Sequence, residues 1–104
     1  MTDEDGREAG VRSEGAVVRQ VRIVNRLGLH ARASAQFVRT AERFRAEVTV
    51  DLNGQPVNAK SIMGLLMLAA SQGTTLTLRA TGQDGEAAVD ALAELVARRF
   101  GEPE

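Results

Sequence analysis

The chain has 104 residues, 43% of them hydrophobic and only three aromatic, all phenylalanine, so we expect one small domain with an aliphatic core. With no cysteine and a single histidine, disulfides, thiolate chemistry and cysteine-based zinc sites are excluded, and we expect neither a metal nor a cofactor. The net charge of −1 argues against a nucleic-acid partner, and no apolar run is long enough to cross a membrane.

The first fifteen residues are polar and rich in glycine and acidic side chains. They offer little to a core, so we predict a flexible extension over residues 1–15 and a single domain over residues 16–104. An acidic start is unlike a secretory signal peptide, and we therefore expect a cytoplasmic protein.

In the first half of the domain, the sequence pattern predicts a strand, a helix and two further strands, in that order. A strand begins near Val17, and apolar residues recur at helical spacing from residue 31 to residue 44. Residues 46–52 alternate strictly between apolar and polar, which is typical of a strand with one buried face. Asn53-Gly54 predicts a tight hairpin turn, and Pro56 predicts that the return strand lies at an edge of the sheet.

In the second half of the domain, the sequence pattern predicts a helix, a strand and a last helix. Ser61 precedes a short apolar helix, residues 74–81 alternate as a strand, and a last helix runs to about Phe100. The fold class is therefore α+β: a two-layer, open-faced β-sandwich in which three helices cover one face of a four-stranded, mainly antiparallel sheet, in the order βαββαβα.

The segment Gly28-Leu29-His30-Ala31-Arg32 lies at a strand-to-helix junction. The N-terminus of a helix is a natural anion site, and Arg32 adds a charged fork suited to phosphate oxygens. Gly28 permits a close approach of the backbone to that site. The helix dipole favours a neutral, nucleophilic imidazole at His30, which could accept a phosphoryl group. A histidine that merely caps the helix or lies at the surface remains an alternative on this segment alone.

Three segments resemble the HPr family, the histidine-containing phosphocarriers of the bacterial phosphotransferase system. They are NRLGLHARASA at 25–35, KSIMGLLML at 60–68 and ATGQDGEAAVDAL at 80–92, and the resemblance extends over about residues 17–101. It implies a carrier that is no stand-alone enzyme. His30 would take a phosphoryl group on Nδ1 from enzyme I, with phosphoenolpyruvate as the source, and pass it to an enzyme IIA domain.

The resemblance also implies roles for neighbouring residues. Arg32 would neutralise the phosphate, and the binding loop and helix start would comprise Gly28, Ala31, Arg32 and Ala33. The family usually has proline where this chain has Ala33, and we expect the additional N–H to strengthen phosphate binding slightly.

The segment at 60–68 resembles the family's regulatory serine segment, so Ser61 would be phosphorylated by a dedicated HPr kinase/phosphorylase. Ser61 is also expected to cap its helix. The apolar residues Ile62, Met63 and Leu66 would form a docking patch for partners that bind in turn, and the protein is expected to be a monomer.

Two alternatives remain beside the carrier. One is a regulatory binding module of the same fold that acts mainly through Ser61-dependent protein contacts. The other is a small-molecule enzyme, for which the sequence shows no second acid or base and no nucleotide-binding loop. Within the family, NRLGLHARASA and LLML favour the nitrogen-regulatory branch and KSIMG favours kinase-controlled carriers, so sugar transport and nitrogen regulation both stay open.

Overall fold

A computed structural model of the chain describes residues 11–13 and 15–104, with side chains from residue 15 onward. The strands are β1 (Val11–Ser13), β2 (Ala16–Arg22), β3 (Glu47–Leu52), β4 (Gln55–Asn58) and β5 (Thr75–Thr81). The helices are α1 (Ala31–Ala41), α2 (Ile62–Leu68) and α3 (Gly85–Ala97), and a 3₁₀ turn follows at Arg99–Gly101.

The strands form one sheet in the order β1-β2-β5-β3-β4, and every neighbouring pair is antiparallel. Alternate residues such as Val48, Val50, Leu76 and Leu78 are buried beneath the helices, as the period-two pattern predicted. The predicted α+β open-faced sandwich, with three helices over one face of an antiparallel sheet, is confirmed.

The hairpin between β3 and β4 has the turn that its sequence predicted. Asn53 and Gly54 have φ angles of 53° and 84°, and the Gly54 N–H donates to Asp51 Oδ2 at 3.0 Å. Pro56 lies in β4, which is an edge strand as expected, because proline cannot donate to a further strand.

The strand β1 corrects part of the predicted N-terminal extension. Residues Val11–Ser13 pair with the outer edge of β2, with Val11 opposite Val18 and Ser13 opposite Ala16. Gly15, in the turn between β1 and β2, has a φ of 81°, which lets the chain reverse its direction. β1 can then pair with the backbone groups along the outer edge of β2. Residues 1–10 and 14 lie outside the described part of the chain, where the predicted extension stays a prediction.

Two helices end earlier than their apolar patterns suggested. α1 ends at Ala41, and Phe44 then packs against the core from a turn in which its N–H donates to Ala41 O. α3 ends at Ala97, and Phe100 reaches the core only because the chain then turns through left-handed backbone. In both cases a phenylalanine at helical spacing, half-buried at Phe44 and buried at Phe100, lies beyond the true end of the helix.

Asp84 ties the start of α3 to the segment before β3. Its carboxylate accepts hydrogen bonds from the N–H groups of Arg45 and Ala46 at 2.9 and 2.8 Å. The Arg45 bond is the strongest influence on the Asp84 carboxyl, and it outweighs partial burial, so the pKa of Asp84 lies below its ordinary value. Hydrogen bonds from two backbone amides favour the ionised form in the folded protein alone.

We expect Asp84 to make stability depend on acidity. Its folded pKa is depressed, so its contribution is present above the unfolded pKa of about 3.9 and is lost as the pH falls through the folded value. Urea unfolding at several pH values, for wild type and Asp84→Asn, measures this. The difference in unfolding free energy should be largest near neutral pH and shrink in acid; a constant difference would contradict the assignment.

Candidate functional site

His30 is the N-cap of α1, the residue directly before the first helical residue, Ala31. Its ring nitrogen Nδ1 accepts a hydrogen bond from the Arg32 N–H at 3.2 Å, and its side chain is 28% exposed. The structure thus places His30 at the helix start that the sequence predicted, where it also caps the helix, as the alternative interpretation had it. Nδ1 lies where the first N–H groups of α1 have no partner within the helix.

The loop before His30 is fixed by contacts with the segment that follows α2 and with α1. The Leu29 N–H donates to Ala70 O at 2.9 Å, and Ser34 Oγ donates to Leu29 O at 3.2 Å. Gly28 has a φ of 70°, and a Cβ added there would lie 2.5 Å from Ala70 O. The glycine predicted to let the backbone approach a ligand is instead required by the approach of another backbone segment.

Residues named from the sequence share this site. Gly28 shapes the loop, Ala31 and Arg32 are exposed in the first turn of α1, and Ala33 is fully buried beneath it. Arg32 lines a pocket of about 430 Å³ together with His30, Arg26, Leu27 and the last three residues of the chain. The fold thus assembles an imidazole ring, the start of α1 and two arginines around one opening.

Glu102 is the site residue that sequence reasoning missed. Its Oε2 makes a hydrogen bond with His30 Nε2, and its side chain is only 9% exposed. The fully buried Asn25 donates from Nδ2 to Glu102 Oε1 and to Gly28 O, each at 2.9 Å. Glu102 follows His30 by 72 positions in a polar tail, so no local pattern marks it.

The residues around Glu102 stabilise the ionised form of its carboxyl. Burial alone would raise the pKa of this carboxyl, but the hydrogen bonds from Asn25 and His30 and the positive charge of Arg32 outweigh burial and lower it. Glu102 is therefore ionised near neutral pH, beside the ring edge opposite Nδ1.

The tail continues past Glu102 along the same pocket. The Arg26 N–H donates to Glu104 O at 2.8 Å, and Arg26 Nε pairs with Glu104 Oε1 at 2.7 Å. Both carboxylates of the tail thus face the loop that carries His30.

Ser61 is the N-cap of α2, as predicted, and its Oγ accepts a hydrogen bond from the Gly64 N–H at 3.0 Å. The predicted docking residues Ile62, Met63 and Leu66 are exposed, and Met67, which the sequence analysis did not name, is 72% exposed. These four residues form what we call the α2 patch. α2 begins after Ser61 and ends just before Ala70, whose carbonyl accepts the hydrogen bond from the Leu29 N–H in the His30 loop.

Within residues 11–13 and 15–104, no group of three or more histidine, cysteine, aspartate or glutamate side chains could hold a metal ion. In the same part of the chain, no helix has the length and apolar character needed to span a bilayer.

Comparison with known proteins gives a consistent result. A family model described as "PTS HPr component phosphorylation site" matches residues 17–98. The phosphocarrier protein HPr of Cupriavidus necator is 52% identical over 83% of this chain and 97% of its own, and the phosphocarrier protein NPr of Shewanella violacea is 46% identical over 81% of this chain and 92% of its own. The crystal structure of HPr-C-His from Thermoanaerobacter tengcongensis superimposes with a TM-score of 0.81 at 44% identity, over 84% of this chain and 98% of that one.

Proposed function

The chain belongs to the HPr family of phosphotransferase-system phosphocarriers, and from this membership we propose that His30 takes a phosphoryl group on Nδ1 from phosphorylated enzyme I and passes it to an enzyme IIA domain. Phosphoenolpyruvate is the proposed source of the group. The observation that supports this best is the position of Nδ1, which faces the first N–H groups of α1 at the wall of a pocket that Arg32 also lines.

The geometry suits both acceptance and release. The Nδ1 lone pair attacks phosphorus while the donor's bond to phosphorus breaks, so the ring gains a P–N bond and no proton has to leave Nδ1. The new phosphoryl oxygens can accept hydrogen bonds from the N–H groups of Ala31, Arg32 and Ala33. Arg32 supplies a charged, solvent-exposed partner rather than a closed cage, so the group can leave again to the next acceptor.

The test is a transfer assay with the purified protein, enzyme I and radiolabelled phosphoenolpyruvate. We expect label on this chain that is lost in acid and stable in base, and a phosphorus–nitrogen coupling to Nδ1 of the ring. A sample without enzyme I should stay unlabelled. Acid-stable label, or label on the other ring nitrogen, would contradict the proposal.

The proposed docking surface for both partners is the α2 patch with the adjoining pocket rim, where Leu27 is also exposed. Methionines such as Met63 and Met67 adapt their shape to different partners, which suits a surface used by a donor and an acceptor in turn. Arg26 and Arg32 at the rim favour partners with acidic surfaces. The proposal includes a monomeric state and a cytoplasmic location.

We further propose that Ser61 is a regulatory phosphorylation site for a kinase of the HPr kinase/phosphorylase class. Its Oγ already caps α2, where the unpaired N–H groups tolerate negative charge. A phosphate there would add charge next to the α2 patch without unfolding the helix. The regulatory binding module of the same fold, which acts mainly through such Ser61-dependent contacts and does not transfer phosphate, remains the alternative. The transfer assay separates the two, because that module takes no label.

Replacing Ser61 by aspartate should slow phosphorylation by enzyme I while leaving the fold intact. We expect a native circular dichroism spectrum and a fall of about tenfold in the transfer rate, equivalent to about 1.4 kcal/mol, because the added charge repels an acidic partner. Ser61→Asn is the matched control, since asparagine caps helices as well as aspartate but carries no charge. Equal rates for the two variants, or a melted spectrum, would contradict this account.

A further inference from the structure

We propose that Glu102 is a positioning residue that holds a proton on Nε2 of His30 and thereby leaves Nδ1 as the ring nitrogen with a free lone pair. The role in phosphoryl transfer rests on the function proposed above, whereas the effect on the ring does not. The carboxylate has no proton to donate, so the hydrogen bond between Nε2 and Oε2 requires the proton on the ring.

The opposite edge of the ring requires the same proton arrangement. The Arg32 N–H donates to Nδ1, so Nδ1 accepts and cannot carry a proton. Both contacts therefore select one neutral tautomer, with the proton on Nε2. This is the tautomer whose Nδ1 can attack a phosphoryl group.

Asn25 fixes which oxygen of Glu102 faces the ring. Its Nδ2 donates to Glu102 Oε1 and to Gly28 O, and its amide is fully buried. The loop carbonyl at Gly28 and the carboxylate are thus held by the same amide group. The chain Asn25 to Glu102 to His30 joins the loop, the tail and the start of α1.

The backbone of the tail is shaped to bring Glu102 back to the histidine. Arg99, Phe100 and Gly101 have φ angles of 61°, 55° and 78°, a run of left-handed residues that non-glycine side chains rarely adopt. Phe100 is almost fully buried and anchors this turn, and the Arg26–Glu104 contacts hold the chain beyond it. The left-handed turn before Glu102 and the Arg26–Glu104 contacts after it indicate that the buried carboxylate makes a built contact and does not belong to a loose tail.

The same contact has a second consequence after transfer. When Nδ1 gains a phosphoryl group, the proton on Nε2 remains and the ring becomes a cation. The adjacent Glu102 carboxylate then compensates that new charge, in a site where Arg26 and Arg32 already contribute positive charge. Glu102 therefore favours both the reactive tautomer and the phosphorylated product.

Nitrogen NMR of histidine-labelled protein tests this directly, because His30 is the sole histidine and gives the only ring signals. Wild type should show a protonated Nε2 and an unprotonated Nδ1. In Glu102→Gln, Asn25 should still hold the amide oxygen, so the amide NH₂ would face the ring and move the population toward the tautomer with the proton on Nδ1. Glu104→Gln removes the neighbouring carboxylate, which contacts Arg26 and not the ring, and should leave the tautomer unchanged.

The transfer rates distinguish positioning from a general structural role. Glu102→Gln should be phosphorylated by enzyme I at least about tenfold more slowly than wild type, and Glu102→Ala should be faster than the glutamine variant, because water can then serve either nitrogen. A purely structural contact predicts the reverse order, since alanine removes more packing. That reverse order, or wild-type signals in Glu102→Gln, would overturn the inference. If wild type takes no label but the tautomer still responds to Glu102→Gln, the proposed function fails and the positioning of the ring stands.

Discussion

Replacing His30 by alanine is expected to abolish acid-labile phosphorylation of this protein by enzyme I, with a loss of at least about 10³-fold. The imidazole forms the covalent bond to phosphorus, and the described residues around the pocket offer no second histidine or cysteine to replace it. The measurement is the initial rate of label transfer from radiolabelled phosphoenolpyruvate at saturating enzyme I.

A second variant separates chemistry from folding. His30 caps α1 through Nδ1, so alanine is also expected to cost about 1 kcal/mol of stability. His30→Asn keeps a side chain that caps helices well and removes only the nucleophile. Both variants should be unlabelled, with the asparagine variant closer to wild type in its urea midpoint. Any residual label that is lost in acid would show a different acceptor and refute the assignment of His30.

Replacing Gly28 by alanine should destabilise the protein by about 3 kcal/mol or more. A left-handed φ costs a non-glycine residue about 1 to 2 kcal/mol, and the new Cβ would meet Ala70 O at 2.5 Å. Moving Ala70 away would also stretch the hydrogen bond from the Leu29 N–H, which holds the loop before His30. We therefore expect slower phosphoryl transfer together with a lower unfolding free energy.

Gly54→Ala is the matched control for this prediction. Gly54 has a φ of 84°, but a Cβ added there would have no atom within 4 Å. Its replacement should therefore lower the unfolding free energy only by the cost of a left-handed φ for alanine, about 1 to 2 kcal/mol, and leave phosphoryl transfer at the wild-type rate. Chemical unfolding of both variants measures the difference. Equal costs would mean that the approach of Ala70 to Gly28 contributes nothing to the loop.

Local sequence patterns predicted the structure best where the backbone preference of one or two residues decides the conformation. Asn53-Gly54 predicted the hairpin, Pro56 predicted the edge strand and Ser61 predicted a helix cap, because each depends on the backbone preferences of one or two residues. The ends of α1 and α3 were less well predicted. Phe44 and Phe100 keep the helical spacing but reach the core from turns, and spacing alone does not distinguish these cases.

The sequence by itself determined the order of strands and helices from β2 to α3, and the position of His30 and Arg32 at the start of α1, because these follow from periodicity and from local backbone chemistry. Only the tertiary structure decided what surrounds the ring. Glu102 reaches Nε2 through a left-handed turn anchored by Phe100, and Gly28 is required by the distant backbone at Ala70. Both contacts join segments far apart in the chain, and the packing of the core, not any local pattern, brings such segments together.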